Sequence, residues 1–491
     1  MKAIPVTSIV LLVALFLIAS QRTTEPERTS SRNATDPRQT QFSDCTNYSL
    51  YSHDSKHIWN RVQNNLLIRT GSDGSKWGCD EVDPLLWSGS KHVLVGAKYQ
   101  ETVALLHEFL NSHSERLVRD PLVRAVFQRN LLAVFHWVTE PIGFPDHSIK
   151  CCAECCGNVV GCEKERTQLA ELLAAMIKAV AISTDEIHRL PDNYGGLRAT
   201  QTADGFYLPG GRGFALMGRD DGMPAAPIHL SNFPMSAFFV YLRLPPPAHL
   251  TTAESIEATR TFSRSRAQVV TASARSAQAP DPRRDNCLLA GSCGPPQFPA
   301  GTETALLRRA ILVSNEGQPV LSPITETVQL RRYRSIPDRR AFFEPGHDQV
   351  TEFRLSERAL LDGRPSLRRV ADDEKDFPIF NTHGFDFFEP GSPDAETLSP
   401  QSRSSRFGPS SRILECSSCH QNPGVGSFTT YSRMQFEPAE RQFVLLHATT
   451  DQQEEAATFR ELNAGATWKL LHAMMPYLSA LNVGELLVLR L

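Results

Sequence analysis

The chain has 491 residues, of which 41% are hydrophobic and 21% charged, and its formal net charge is −3 at pH 7. This length allows about two to four domains with apolar cores, and the composition of a folded soluble protein excludes a bundle of membrane-spanning helices. A net charge so close to zero gives no electrostatic reason to expect nucleic acid or an anionic membrane surface as a partner.

The N-terminus has the pattern of an export signal. Lys2 precedes an apolar run over residues 9–19, and the sequence becomes polar immediately afterwards. The run is short for a membrane span, so we predict a signal peptide over residues 1–20. Leu17 is too large for a good cleavage site, which leaves an uncleaved N-terminal membrane anchor as the alternative. Residues 21–43 are polar and are predicted to be a flexible tether.

Residues 44–190 have the periodicity of a helical region. Asp120-Pro121 is a helix start, because the carboxylate accepts from free backbone N–H groups and proline needs no partner at the first helical position. The helix is predicted to continue to Val138. A second helix, from Glu163 to about Ala181, has an apolar stripe at helical spacing. The stripe consists of Leu169, Leu172, Leu173, Met176, Ile177 and Val180.

A cysteine-rich loop separates these two helices. Its thiols are Cys151, Cys152, Cys155, Cys156 and Cys162. After export, such a loop is stapled by disulfides, although zinc, an iron–sulfur cluster or unpaired thiols are the alternatives. In each case we interpret the loop as structural.

The middle of the chain is predicted to contain β-strands. Alternating or continuous apolar runs over residues 237–244, 310–313, 325–333 and 350–355 favour strands, with a turn at residues 315–317. Ser356 is expected to cap a short helix that ends before Gly363. The polar stretches 251–300 and 392–411 lack a durable period and are predicted to be linkers.

Near the C-terminus stands the pentapeptide Cys416-Ser-Ser-Cys419-His420. Two thiols three positions apart can add to both vinyl groups of a porphyrin, and the following imidazole then lies under the ring as an iron ligand. A surface disulfide or half of a zinc site is the alternative reading. Haem c is attached outside the cytoplasmic membrane, so the motif and the export signal agree.

The last 80 residues resemble a class I cytochrome c domain. The CxxCH motif is followed by an amphipathic helix predicted over residues 453–474, by Met475-Pro476 and by an apolar helix over residues 478–491. The resemblance implies that Cys416 and Cys419 form thioethers, that His420 is the proximal iron ligand with Pro423 supporting it, and that Met475 is the distal ligand. The other candidates for the distal position are Met474, Met434, His472 and His447.

The predicted fold class is therefore α+β and multidomain, with a helix-rich N-terminal region, a β-containing middle and a small, mostly helical, cytochrome c-like C-terminal module. The predicted boundaries are 1–20 for the signal peptide or anchor, 21–43 for the tether, 44–190 for the helical region, 191–250 for a loop-rich region with a strand, 251–300 for a linker, 301–391 for the β-containing region, 392–411 for a linker and 412–491 for the haem c module.

The predicted function is that of an exported, periplasmic or otherwise extracytoplasmic protein with one covalent haem c, which transfers single electrons to or from a redox partner that the sequence does not identify. Two alternatives stay open: a haem enzyme of the peroxidase type, and a non-redox exported binding protein in which Cys416 and Cys419 form a disulfide. No catalytic side chain is assigned.

Overall fold

The structure is a computed structural model of the full chain. By its contacts the chain divides into two units, Met1–Ser43 and Asp44–Leu491, and every residue described below belongs to the second. The structure describes residues 48–70, 76–80, 93–94, 96–139, 163–198, 202, 205–210, 213–219, 222–226, 235–245, 300–333, 348–372, 374–376, 410–411, 436–437, 442–443 and 446–477. The signal peptide, the tether, both predicted linkers except residues 300, 410 and 411, and the cysteine-rich loop lie outside these residues.

Four helices form the layer that precedes the sheet. They are α1 (Ile58–Leu67), α2 (Gly96–Asn111), α3 (Pro121–Thr139) and α4 (Glu163–Ala179), with a 3-10 turn at Ser114–Leu117 and a short hairpin of β1 (Arg69–Thr70) with β2 (Lys76–Trp77). The predicted start of α3 is confirmed, because Asp120 Oδ1 accepts from the backbone N–H groups of Leu122 at 2.8 Å and Val123 at 3.2 Å. The predicted apolar stripe of α4 is buried throughout.

Two short helices lead from α4 to the sheet. Helix α5 (Thr184–His188) begins with a capping box, in which the Ser183 hydroxyl accepts from the Glu186 N–H and the Glu186 carboxylate accepts from the Ser183 N–H. Helix α6 (Asn193–Arg198) follows. The Asn193 amide then binds the backbone of Thr325 through both its oxygen and its nitrogen, at 2.7 and 2.9 Å, which ties this connection to the sheet.

A seven-stranded antiparallel sheet is the centre of the fold. Its strands are β3 (Ala215–Arg219), β4 (Ser236–Arg243), β5 (Glu303–Val313), β6 (Pro319–Tyr333), β7 (Asp348–Leu355), β8 (Leu367–Arg369) and β13 (Leu446–Ala448). Their order in the sheet is β13-β3-β4-β5-β6-β7-β8. The predicted strands in residues 237–355 are confirmed, as is the α+β class. Helix α7 (Glu357–Leu361) is capped by Ser356 as predicted.

Two further strand pairs are small. Strand β9 (Lys375–Asp376) pairs with β10 (Ser410–Ser411), and β11 (Phe436–Glu437) pairs with β12 (Gln442–Phe443), both antiparallel. The register between β5 and β6 shifts on either side of Arg309, and such a bulge turns side chains toward a new neighbour. Here it brings Glu326 between the helix layer and the sheet.

The helix layer packs on one face of the sheet. Trp59 stacks on Phe127 with ring centroids 4.4 Å apart, and its indole N–H donates to Ser114 O at 2.9 Å. The Gln128 amide binds both backbone groups of Val313 at 2.9 Å and donates to Ile177 O at 3.1 Å. A buried amide that satisfies two elements at once fixes the distance between α3, α4 and the β5–β6 hairpin.

The C-terminal helices differ from the prediction in two respects. Helix α8 (Asp451–Ala464) and helix α9 (Ala466–Tyr477) replace the single helix predicted over residues 453–474. The break falls at Gly465, whose backbone is extended, because glycine is a poor helix former. Met475 and Pro476 lie in the last turn of α9 and not after it.

The described part of the predicted haem module is built into the main fold. Strand β13 pairs with β3 at the edge of the sheet, and α9 packs on α4. The sequence predicts a separate module over residues 412–491, whereas from Leu446 to Tyr477 the chain shares the core of the sheet and helices. Among the described residues, no helix is long and apolar enough to cross a membrane.

Candidate functional site

The predicted haem-attachment residues Cys416, Cys419 and His420 lie outside the described residues. Pro423 and Met434 lie outside them too, and His447 is described only as backbone in β13. The prediction of haem attachment therefore stays a prediction. The described residues show the elements of the fold that this segment connects.

Met475 is a core side chain in the structure. It is 4% exposed and belongs to the apolar core shared by the helices and one sheet face. Its backbone oxygen accepts from Lys178 Nζ at 3.2 Å, and its sulfur lies 3.9 Å from where a Cβ on Gly317 would be. Met474 is half-buried and His472 exposed. The assignment of Met475 to iron stays a prediction, and its surroundings are those of a packing residue.

Cys79 is disulfide-bonded, and it is the only one of the eleven cysteines that falls within the described residues. The next residue, Asp80, organises the start of α7. Its carboxylate accepts from the Ser356 hydroxyl at 2.7 Å, from the Arg358 N–H at 2.8 Å and from the Tyr48 hydroxyl at 3.0 Å. The disulfide therefore anchors a residue that holds α7 in place.

The two faces of the sheet are chemically different. One, the helix-covered face, carries cross-strand rows of apolar side chains that belong to the helix core. Two such rows are Phe239, Leu307, Val328 and Phe353, and Leu216, Tyr241, Ala305 and Leu330. Side chains that alternate with these point to the opposite face, which we call the charged face.

The charged face presents arginine from four adjacent strands. Cross-strand pairing aligns Phe238, Arg308, Thr327, Arg354 and Arg368 in one row, Val240, Leu306, Gln329 and Glu352 in the next, and Leu242, Thr304, Arg331 and Val350 in the third. Arg308, Arg331 and Arg354 are 3%, 1% and 5% exposed. Fully buried arginine on a sheet face is rare unless a partner surrounds it.

Acidic side chains offset part of this charge. Arg368 binds both oxygens of Glu374, at 2.7 and 2.8 Å, and Arg354 lies 3.9 Å from the same carboxylate. Burial alone would raise the pKa of Glu374, but these guanidinium groups outweigh it and the pKa is lowered. Glu352 lies on the same face, and Arg308 is paired with Glu326.

A buried ion network lies at the bulge, where the helix layer meets the sheet. Glu326 binds Arg129 of α3 and Arg308 of β5, and it accepts from the Ser236 hydroxyl at 2.6 Å. Arg129 also binds Glu357 of α7 at 2.9 Å. One guanidinium is thus shared by two buried carboxylates.

The two carboxylates have opposite pKa shifts. Burial disfavours the charged form of both, but two arginines and a hydroxyl outweigh it at Glu326, whose pKa is lowered. Within the described residues Glu357 is bound by Arg129 and by the Asn130 amide, which donates to its second oxygen at 3.0 Å. Burial outweighs both and raises the pKa of Glu357 to about 8, so burial favours the protonated form of Glu357 more than that of Glu326.

A second buried carboxylate lies near the C-terminal edge strand. Glu454 in α8 is buried and accepts from the Ala225 N–H. Burial raises its pKa to about 8, and Glu461 adds to the rise while Arg219 of β3 opposes it. Within the described ranges, no group of three or more His, Cys, Asp or Glu side chains is placed to hold a metal ion.

The sequence did not single out Arg129, Glu326, Glu357 or the arginines of the charged face. A usable signal exists: β5 and β6 each carry a pair of adjacent arginines within an apolar strand, and β7 alternates Glu352, Phe353 and Arg354, on what proves to be a buried face. Comparison with known proteins adds nothing to the assignment, since no family model, curated protein or solved structure matches the chain.

Proposed function

We propose that the protein is an exported monohaem c-type protein that carries single electrons. The observation that supports this most is the Cys416-x-x-Cys419-His420 motif, in which the two thiols would form thioether bonds to haem and the imidazole would bind iron. The proposal includes a haem-binding segment within residues 412–491 that follows a helix-rich N-terminal region and a β-containing middle.

The disulfide at Cys79 supports the proposed location. Disulfides persist in oxidising compartments and are rare where glutathione keeps thiols reduced. Cys79 is disulfide-bonded, and the N-terminal apolar run predicts a signal peptide or membrane tether. Both features agree with a periplasmic or other extracytoplasmic protein, which is where haem c is attached.

The protein's part in the chemistry would be to hold and tune the haem. When bound, haem supplies a reversible one-electron couple. His420 would supply the proximal nitrogen, and the polarity and charge around the ring would set the potential. Met475 stays the sequence's prediction for the second axial position. Neither a catalytic residue nor a particular redox partner is assigned.

The test is mass spectrometry of the tryptic peptide 413–433, which contains the whole motif, after expression in a host that attaches haem c. We expect this peptide to carry one haem and the reduced protein to show a sharp α band. A Cys416→Ser, Cys419→Ser variant is the control and should carry none. An unmodified or merely oxidised cysteine pair in the parent protein would exclude the haem proposal and leave the disulfide alternative.

A further inference from the structure

Helix α8 packs on the rest of the fold through a face that is only partly apolar. Its buried side chains are Glu454, Ala457, Thr458 and Leu462, and the half-buried Phe459 also contacts the core. Two of the four buried side chains are polar, whereas the stripe of α4 is apolar throughout. Elements that bury little apolar surface open at a lower free energy than the rest of a protein, so α8 is a candidate for local opening.

The same stretch has a boundary at its C-terminal end. Residues 446–464, here called the latch, consist of β13 and α8. Gly465, whose backbone is extended, separates α8 from α9. Helix α9 is held independently, because Trp468 and Met475 belong to the main core and Lys178 donates to Met475 O. The latch can therefore open at Gly465 while α9 stays in place.

The closed latch rests on β3 and on the turn that follows β3. The Thr449 N–H donates to Leu216 O at 2.8 Å, and the Arg460 guanidinium donates to Gly222 O at 2.9 Å. A Cβ on Gly218 would lie 2.9 Å from the Thr449 Cβ, so only glycine allows this approach. Strand β13 is three residues long and adds a short ladder with β3.

Glu454 is the buried ionisable group of the latch. Its carboxylate accepts from the Ala225 N–H. Burial is the largest influence and raises the pKa of Glu454 to about 8; Arg219 of β3 opposes the rise, and Glu461, two turns later on α8, adds to it. A charged Glu454 is costly only while the latch is closed, because water solvates the carboxylate once it opens.

The other charged groups around the latch leave Glu454 as its central titrating group. The turn at residues 222–226 contains no charged side chain. Arg243, the charged residue of β4, is paired with Glu303. On α9, Lys469 and His472 are exposed, and solvent screens their charges.

Thr458 opposes closure as well. Its side chain is 1% exposed, and its hydroxyl oxygen has no hydrogen-bond partner among the residues that the structure describes. A hydroxyl that loses water without gaining a partner destabilises the closed state. The closed and open states of the latch are therefore finely balanced, so that one proton on Glu454 decides between them.

We propose that residues 446–464 form a proton-controlled latch, which is closed on β3 while the Glu454 carboxyl holds its proton and opens at Gly465 when that proton is lost. Opening leaves β3 with an unpaired edge and leaves α9 in the core. The latch goes beyond the proposed haem function and does not depend on it.

Hydrogen exchange followed by mass spectrometry tests the latch in the full-length protein. The stability that the Glu454 proton provides is complete below the ordinary pKa and is lost as pH rises through 8. We therefore expect the protection factors of peptides within residues 446–464 to fall about tenfold per pH unit from about pH 5.5 and to level off above pH 8. Peptides from α4 should be more strongly protected at every pH. Equal protection of the two regions, or a latch that does not respond to pH, overturns the proposal.

Two neighbouring glutamates provide the decisive variant and its control. Glu454→Gln cannot ionise and should make the protection of the latch independent of pH. Glu455→Gln changes the adjacent, half-buried glutamate and should behave like the parent protein. A slope that persists in Glu454→Gln would assign the response to another group, such as His447, and overturns the proposal.

Two further variants test the closed state without changing an ionisable group. Thr458→Val removes the buried hydroxyl at nearly constant shape and should raise the protection of the latch at every pH. Gly218→Ala places a Cβ against Thr449 and should lower it at every pH. The opposite effect in Thr458→Val, or no effect in Gly218→Ala, overturns the closed geometry and with it the proposal. Circular dichroism of each variant confirms that the sheet has formed.

Discussion

Phe238 and Phe239 are neighbours in β4, equally large and almost equally buried, at 3% and 2% exposure. Phe239 packs into the core formed with the helices, whereas Phe238 shares its row with Arg308, Thr327 and Arg354. The first environment is apolar and complete within the described residues. The second is buried and charged, which is costly unless a specific partner supplies hydrogen bonds and opposite charge. One face thus joins the helix core, and the other combines apolar side chains with buried charge.

The largest expected effects come from truncating one buried phenylalanine on each face of the sheet in turn. Phe239→Ala should lower the free energy of unfolding by about 3–5 kcal/mol, because a large cavity opens in a packed core. Phe238→Ala should cost less, because Arg308 and Thr327 follow it in the cross-strand row, and water can enter a cavity with polar partners. Urea unfolding of the two variants measures this, and an equal loss at both positions contradicts the comparison.

The network at the bulge, where the two faces meet, gives a pH dependence of intermediate size. The folded pKa of Glu357 is about 8 and lies above its ordinary value, so the stability that its proton provides is complete below the unfolded pKa and is lost as pH rises through 8. Between pH 5 and pH 8.5 we expect a loss on the order of 3 kcal/mol.

Glu357→Gln should flatten this dependence, because the amide cannot ionise. Some slope will remain, since Glu454 has a pKa raised in the same direction, and Glu454→Gln is the matched control. Urea midpoints from pH 5 to pH 8.5 provide the measurement. A slope in Glu357→Gln as steep as in the parent protein would mean that the carboxyl is already ionised at neutral pH.

The smallest effect is expected at Met475, on the helix-covered side. Met475→Leu conserves volume and should cost under about 1.5 kcal/mol, with the visible spectrum of the haem-loaded protein unchanged. A sulfur bound to ferric iron would instead be revealed by loss of the long-wavelength methionine–iron band in the variant. That result would establish Met475 as the sixth ligand.

Local signals in the sequence predicted much of the fold. The cap at Asp120, the stripe of α4, the strands around residues 237–244 and 325–333, and the turn before Gln318 each depend on neighbours a few positions away, and each was found. Strand β13 was missed, because three residues carry too little periodicity and their partner lies far away in the chain.

The candidate site was less predictable for the same reason. The residues Met475-Pro476 match a cytochrome motif in sequence. The environment of Met475 is nevertheless set by contacts with Lys178 and Gly317, which lie far from it along the chain. Arg129 shares its guanidinium with Glu326 and Glu357, about two hundred residues later. Such groupings arise only when the whole chain has folded.

The position of β13 also bears on the order in which the molecule is made. The sheet gains this edge strand only when Leu446 pairs with Arg219, across more than two hundred residues, and contacts of such long range form late. A chain synthesised from its N-terminus would therefore hold β3 with one unpaired edge until Leu446 has been made. The architecture leaves an interval during synthesis in which the backbone groups of this edge are open to other partners, and pairing with β13 ends it.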